Sequence, residues 1–316
     1  MRLNAFGKTD LRVAEFGFGC ARIGGVFQGD PQSFVRLLAV ARDGGINFFD
    51  TADMYSQGES EALLGRVFGK RRSEVIITTK AGYCLPGRRK LAGRLKPILR
   101  PVIQALGIRR DRLPTMARGA IVQDFSPAYL TRAVEASLVR LRTDYVDLLQ
   151  LHSPPAEVVE RGEWEPALED LKRAGKLRYY GISCDTPEAA RAALRFPNVS
   201  SLQFAFNLLE PGALESILPS AREKGVACIA RECLGNGLLV KPNAHTLDLS
   251  SYCSSPEQAA KRKEQLLELE TRASERGLSI TQMALEFASR TEGISVALLG
   301  ARTPQQLRRL LDTLPD

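Results

Sequence analysis

A chain of 316 residues with 44% hydrophobic and 25% charged residues, and no periodic glycine or proline, can bury a large core and has neither a disordered nor a fibrous composition. The start Met1-Arg2-Leu3-Asn4-Ala5-Phe6-Gly7 lacks an apolar signal core and no apolar run is long enough to span a bilayer, so a cytoplasmic protein without a membrane partner is expected. The net charge of +8 is concentrated in residues 82–125, where ten basic residues outnumber Asp111 and Asp124; the rest is neutral, which argues against a broad nucleic-acid-binding face.

In chain order, Arg2 to Val13, broken by Gly7-Lys8-Thr9-Asp10, reads as a hairpin. Glu15 to Gly19 reads as a strand whose glycines suit either a tight turn or close approach of a ligand. Asp30-Pro31 opens a helix carrying Phe34, Leu37, Leu38 and Ala41 at helical spacing, stopped by Gly44-Gly45. The run Phe48-Phe49-Asp50 is a second strand. Helix 61–68 then precedes strand 75–79, and helix 126–141 precedes strand 145–151. Helix 163–174 leads to strand 177–182, helix 187–194 to strand 201–204, and helix 211–223 to strand 226–230. Helical stretches 256–276 and 279–290, strand 295–299 and a last helix from Pro304 complete the chain. Eight strands, each followed by helical material, predict a parallel sheet closed into a (β/α)8 TIM barrel, one domain over 1–316. Residues 82–125 then form a long insertion after the third barrel strand, at the face where such barrels keep their active sites.

Three of these strands close on an ionisable residue: Asp50, Lys80 after Thr79, and His152 after Leu151. In a parallel barrel they share one rim, and Tyr55 follows Asp50 by five residues. A tyrosine can protonate a carbonyl oxygen, but with an ordinary pKa near ~10 it needs a cation to favour its anion. Lys80 is the candidate cation, Asp50 the group that holds it charged and aimed, and His152 the hydrogen-bond donor to the substrate oxygen. Taken singly, a buried Asp–Lys pair is as readily structural. The six cysteines, Cys20, Cys84, Cys184, Cys228, Cys233 and Cys253, contain no Cys-x-x-Cys pair, and His245 is the only other histidine. Reduced thiols and no metal site are therefore expected.

The strings Asp50-Thr51-Ala52 with Tyr55 and Gly58-Glu59, then Thr79-Lys80, then Leu151-His152, resemble the aldo-keto reductase superfamily. The similarity runs from Gly17-Phe18-Gly19 to Gly300-Ala301-Arg302-Thr303-Pro304. The resemblance implies a catalytic tetrad of Asp50, Tyr55, Lys80 and His152, a hairpin plugging the barrel bottom, and NADPH as hydride donor to an aldehyde or ketone. It further implies that Ser183 and Gln203 hold the nicotinamide carboxamide, beside Gly19 and Asp50. Cys184 replaces the family's asparagine in that contact, and a thiol is a poor hydrogen-bond partner. In the loop after the seventh strand Arg231 stands where many members stack a tyrosine on the nicotinamide, and a guanidinium plane can stack too. Leu234, Gly235, Gly237 and Leu238 continue that cofactor-binding loop. At the last helix Gly300, Arg302, Thr303 and Gln306 are implied to clamp the adenosine 2′-phosphate, favouring NADPH over NADH. Alone, Arg302 reads as a solvated basic residue at a helix start, and Leu310 replaces a family asparagine near the adenine. No Gly-x-Gly-x-x-Gly stretch is present, as a barrel that binds the dinucleotide extended requires none.

A small carbonyl substrate is the expected partner, anionic if Arg88, Arg89, Lys90 and Arg94 of the insertion form a basic lid, and a monomer or small homo-oligomer is expected. The same insertion, with Leu91, Leu95, Ile98 and Leu99, reads equally as an amphipathic segment packed on the barrel. Two other functions fit the sequence: an NADPH-binding regulatory or redox-sensing subunit, and a barrel hydrolase or isomerase in which Asp50 and His152 do acid–base work.

Overall fold

Alternation along each strand divides the core of this protein into an inside and an outside, and that division places the site. The computed structural model describes residues 1–24, 31–84, 122–240, 247–250 and 252–315. Most of the basic insertion, with Arg88, Arg89, Lys90 and Arg94, therefore lies outside the described residues, as does His245.

Strands β1 (Leu3–Ala5) and β2 (Arg12–Ala14) form the antiparallel hairpin, in the register Leu3↔Ala14, Asn4↔Val13 and Ala5↔Arg12. Eight parallel strands close into a barrel: β3 (Phe16–Gly19), β4 (Phe48–Asp50), β5 (Ile76–Ala81), β8 (Val146–His152), β9 (Leu177–Ser183), β10 (Val199–Ala205), β11 (Ala227–Arg231) and β12 (Ile294–Leu299). Between β5 and β8 a two-stranded ribbon, β6 (Tyr83–Cys84) and β7 (Val122–Gln123), frames the insertion. The helices are α1 (Pro31–Asp43), α2 (Glu59–Phe68), α3 (Pro127–Leu141), α4 (Ala156–Arg161), α5 (Glu165–Arg173), α6 (Pro187–Ala193), α7 (Ala213–Ser216), α8 (Leu218–Glu223), α9 (Pro256–Glu275), α10 (Ile280–Arg290) and α11 (Pro304–Leu311). Among the described residues no helix is long and apolar enough to cross a membrane. None of the six cysteines is in a disulfide.

Phe49, Ile77, Leu149, Leu151 and Ile182 point outward into the layer beneath the helices, while Phe48, Ile76, Leu148, Ile229, Val296 and Leu298 point inward. The inward set is closed from below by Phe6, Leu11 and Val13 of the hairpin, which plugs the bottom of the barrel as expected. Each of these large apolar side chains gives roughly 1.5–3 kcal/mol on burial. The plug is seated by its turn: Gly7, at φ 57°, has room for no side chain, since a Cβ would stand 2.4 Å from the Gly225 carbonyl oxygen, and the Lys8 amide donates to that oxygen at 2.8 Å. Above this apolar floor the inward positions turn polar: Thr78, Gln150 and Ser201 first, then Asp50, Lys80, His152, Ser183 and Gln203 at the rim.

Helix starts follow their caps, with Ser126, Thr186, Ser255, Ser279 and Thr303 each accepting from a first-turn amide. Two elements differ from the sequence expectation. The helix expected over 211–223 is broken into α7 and α8, because Pro219 has no amide to continue the ladder and its ring crowds the preceding turn. Helix α4 was not expected; its six residues are enclosed by Pro155 at the N-cap and Gly162, at φ 67°, at the C-cap, a length too short to show a periodic pattern.

Candidate active site

Three of the four candidate side chains at the rim are carried by strand ends, where register fixes height. Asp50 is the last residue of β4, Lys80 the fifth of β5 and His152 the last of β8. Tyr55 opens a single 3-10 turn, Tyr55–Gly58, that runs into α2. Within this turn Ser56, Gln57 and Gly58 all have positive φ (50°, 63° and 85°). Two non-glycine residues in succession in that region store strain of order 1–3 kcal/mol each, immediately after Tyr55 in the chain.

The structure brings the four expected residues together. Lys80 Nζ donates to Asp50 Oδ1 at 2.6 Å, Asp50 Oδ2 at 2.7 Å and the Thr51 carbonyl at 3.1 Å. It lies 5.2 Å from the Tyr55 ring centroid. The His152 ring meets Tyr55 edge-on, with centroids 5.7 Å apart. Lys80 is 1% and Asp50 4% exposed, so neither charge is tolerable without the other.

The electrostatics differ from expectation at the phenol. Burial raises the pKa of Tyr55; Lys80 lowers it, Asp50 raises it, Arg231 lowers it, and the net direction is upward. Lys80 therefore offsets desolvation without making the phenol a stronger acid than tyrosine in water, and Tyr55 is protonated at neutral pH. At Lys80 burial favours the neutral amine, but the Asp50 and Tyr55 charges and the hydrogen bonds to Asp50 outweigh it and the pKa is raised. His152 goes the other way: burial first, then Lys80 and Arg231, lower it to about 3. It is a neutral imidazole with its Nδ1 buried and unpartnered.

Ser183, level with His152 in the β8–β9 register, donates to Gln203 Oε1 at 3.3 Å, and Gln203 Nε2 donates to Asp50 Oδ2 at 2.9 Å. Cys184 is turned away, buried with its Sγ on the Ile182 carbonyl. Gly19 lies opposite Asp50 in the β3–β4 register. Since β11, β12 and β3 are neighbours, the ends that carry Arg231, Gly300 and Gly19 form one continuous arc of rim. A Cβ at Gly237 or Gly300 would meet nothing within 4 Å, leaving the main chain open to a ligand there, and this donor set and open backbone fit an extended dinucleotide.

Other expected cofactor residues are differently committed. Arg231 is ion-paired with Asp185 and Glu232, so its guanidinium is held at the rim rather than free. The Leu238 side chain is buried with Leu209, Leu239 and Leu266, and Leu234 packs against that cluster; Gly235 and Gly237 provide the left-handed turn between them. Leu310 is likewise a core residue. At α11, Gln306 Oε1 accepts from the Arg302 amide at 2.9 Å and Thr303 Oγ1 accepts from the Gln306 amide at 3.2 Å. With those two amides occupied and none on Pro304, the exposed Arg302 side chain remains a donor that an anion could meet.

Several residues around the site have no motif to announce them. Tyr83 of the ribbon meets His152 edge-on at 4.7 Å, and Gln123 Nε2 donates to the carbonyls of His152 (3.3 Å) and Ser153 (2.8 Å). The Tyr129 hydroxyl lies 3.2 Å from Asp53 Oδ2 and 3.1 Å from the Tyr83 carbonyl. Asp53 is pushed up to about 7 by burial and by Glu61, against Arg140 and the Tyr129 bond. Glu61, fully buried, accepts from Thr79 and from Arg140, both at 2.6 Å. The only sequence signal for Asp53 and Glu61 is their place beside Asp50 and Tyr55. Among the described residues no group of three or more His, Cys, Asp or Glu could hold a metal ion.

The description "Aldo/keto reductase family" belongs to a family model that matches residues 15–315. The uncharacterised oxidoreductase YqkF of Bacillus subtilis (strain 168) is 30% identical over 313 residues, 98% of this chain and 89% of its own length. The holo form of the aldo-keto reductase AKR11C1 from Bacillus halodurans superposes with a TM-score of 0.77 at 27% identity, covering 99% of this chain and 90% of that one. The glycerol dehydrogenase AKR11B4 from Gluconobacter oxydans gives the same TM-score at 26% identity, over 98% and 89%. Agreement in sequence and backbone alike, from the first barrel strand to the last helix, makes this chain a member of the aldo/keto reductase family and so an oxidoreductase.

Proposed function

We propose that the protein reduces an aldehyde or ketone to the alcohol with NADPH, Tyr55 serving as proton donor. The observation that carries this is the Lys80 ammonium, which lies between the Asp50 carboxylate and the Tyr55 phenol beside a neutral His152. NADPH, when bound, supplies the hydride to the carbonyl carbon. The carbonyl oxygen takes the position between the phenol and the imidazole, where the His152 N–H stabilises the charge that develops on it. Tyr55 then gives its proton to that oxygen, and the phenolate left behind is stabilised by Lys80, which Asp50 keeps charged. Because burial has raised the phenol, the proton stays on Tyr55 until the oxygen becomes basic. The reverse reaction runs through the same groups.

Ser183 and Gln203 are proposed to seat the carboxamide, with Gly19 and the main chain of 234–238 along the arc, and Gly300, Arg302, Thr303 and Gln306 at the phosphate end. A preference for NADPH rests on Arg302, whose fork suits a phosphate. The glycerol dehydrogenase similarity supports a small polar substrate among those to try first. The test is loss of NADPH absorbance against aldehydes, ketones, sugars and cyclic oxo-compounds, with Tyr55→Phe as control. That variant should quench on binding NADPH as the wild type does yet turn over slower by roughly 10²–10⁴. Wild-type turnover by Tyr55→Phe would refute the assignment.

A further inference from the structure

Gln203 sits on β10, 1% exposed, with its amide spanning two parts of the site. An ionised carboxylate can only accept, so the atom 2.9 Å from Asp50 Oδ2 must be the amide nitrogen. Oε1 then faces Ser183 Oγ at 3.3 Å, and the serine hydroxyl must donate to it. The chain of polarity is fixed: Ser183 donates to Gln203, Gln203 to Asp50, and Lys80 to Asp50 from the other side.

Lys80 has more acceptors than hydrogens. An ammonium carries three N–H groups, and Asp50 Oδ1, Asp50 Oδ2 and the Thr51 carbonyl already take three, so a bond to the neighbouring Tyr55 phenol, whose ring centroid is 5.2 Å away, needs one of them released. The Gln203 donor satisfies part of the demand of Oδ2 and releases a Lys80 hydrogen to the phenol. It also withdraws negative potential from Asp50, the carboxylate that opposes ionisation of Tyr55. Resting on the reaction proposed above, we infer that Gln203 is a positioning residue for the Asp50–Lys80 pair, coupling the carboxamide seat at Ser183 to the proton donor Tyr55. With the serine hydroxyl used toward Gln203, the Ser183–Gln203 pair presents lone pairs to a ligand. A carboxamide that docks there does so through its NH₂, and its donation to Oε1 polarises the amide and strengthens the bond to Asp50.

The groups facing the phenol are Lys80 from β5, Asp50 from β4, His152 from β8 and Arg231 from β11, and Cys20, after β3, lies in the field of Asp50 and Lys80. Gln203 is the neutral member that decides how Asp50 and Lys80 share their hydrogen bonds. The test follows the Tyr55 phenol carbon in protein labelled with carbon-13 at tyrosine, assigned by its loss in Tyr55→Phe, as pH is raised. Gln203→Leu removes the donor and should move the onset of Tyr55 ionisation upward by about one pH unit, tenfold less phenolate at a given pH. Gln203→Glu keeps the shape, replaces the donor by an acceptor, and should move it further; it also serves if the leucine variant does not fold. Ser183→Ala should weaken NADPH binding and move the onset by much less than either Gln203 variant, since it removes a donor to Oε1 and leaves the Gln203–Asp50 bond in place. An onset unmoved in both Gln203 variants, or moved equally by Ser183→Ala, would overturn the inference. The readout needs no substrate, so a protein that reduces no carbonyl still answers it, and failure of the proposed reaction is separately visible.

Discussion

Replacing His152 with glutamine should make the protein more resistant to acid relative to its stability at neutral pH. His152 is 9% exposed, and burial, Lys80 and Arg231 together lower its pKa from 6.5 to about 3. The unfolded chain takes up a proton at this side chain below about 6.5, its ordinary value, and the folded chain refuses it. Folding stability from this one residue is thus complete above the unfolded value and is lost as pH falls towards the folded one. At about 1.4 kcal/mol per unit the whole window amounts to about 5 kcal/mol, of which about 2.7 kcal/mol is lost between pH 7 and roughly 4.5. Urea unfolding of wild type and His152→Gln at those two pH values isolates the contribution, because carboxylates and His245 titrate in both proteins and cancel. The stability gap between the two should narrow or reverse by about 2–3 kcal/mol on acidification. A gap that is the same at both pH values would show that His152 accepts a proton in the folded state. It would remove the basis for treating it as a neutral donor to the substrate oxygen.

Lys80→Met leaves the Asp50 carboxylate buried with Gln203 as its remaining side-chain donor and should cost about 3–5 kcal/mol in urea unfolding; Asp50→Asn combined with Lys80→Met should recover part of that loss, without activity. Gly65→Ala should lower the thermal midpoint, since a Cβ would stand 2.5 Å from the Leu141 carbonyl carbon and oxygen where α2 crosses α3; backbone cannot yield there, and about 1–3 kcal/mol of overpacking is expected. Arg302→Ala should weaken NADPH binding about tenfold to a hundredfold, the value of one charged hydrogen-bonding partner, with NADH binding unchanged when both are measured by fluorescence quenching. Equal loss for both dinucleotides would place Arg302 away from the 2′-phosphate.

What could be seen in the chain beforehand was what strand period and local spacing encode. Asp50, Lys80 and His152 end apolar runs, and in a parallel barrel the ends of strands share a rim, so their meeting follows from topology alone. Tyr55 needed the family pattern, because a tyrosine in a polar loop has no period. The split at Pro219 was present in the sequence as a residue without an amide. The apolar positions on either side of it keep helical spacing and mask the break, whereas α4 is shorter than any pattern that could announce it. The contact between Gln203 and Asp50 joins residues 153 apart, and neither carries a local sign of the other. The Asp53–Tyr129–Tyr83 links depend likewise on how the base of the insertion folds back over the rim.

The direction of the Tyr55 shift was beyond the sequence for a deeper reason. Spacing tells which charges approach the phenol, but the outcome is a difference between those charges and desolvation, and desolvation is a property of the whole barrel. The hairpin plug of Phe6, Leu11 and Val13 closes the interior from below, so the layer of Thr78, Gln150 and Ser201 beneath Asp50 and Lys80 rests on an apolar floor of Phe48, Ile76 and Leu148 rather than on bulk solvent. In that setting an ion pair is neither weak nor dispensable: its field is poorly screened, and each partner keeps the other ionised. Burial lifts the phenol and depresses the imidazole, so that both are neutral at physiological pH and Lys80 is the cation beside them. A phenol raised by burial and balanced by one buried ammonium responds strongly to small changes at that ammonium, which is the physical basis of the leverage proposed for Gln203, separated from the phenol by Asp50 and Lys80.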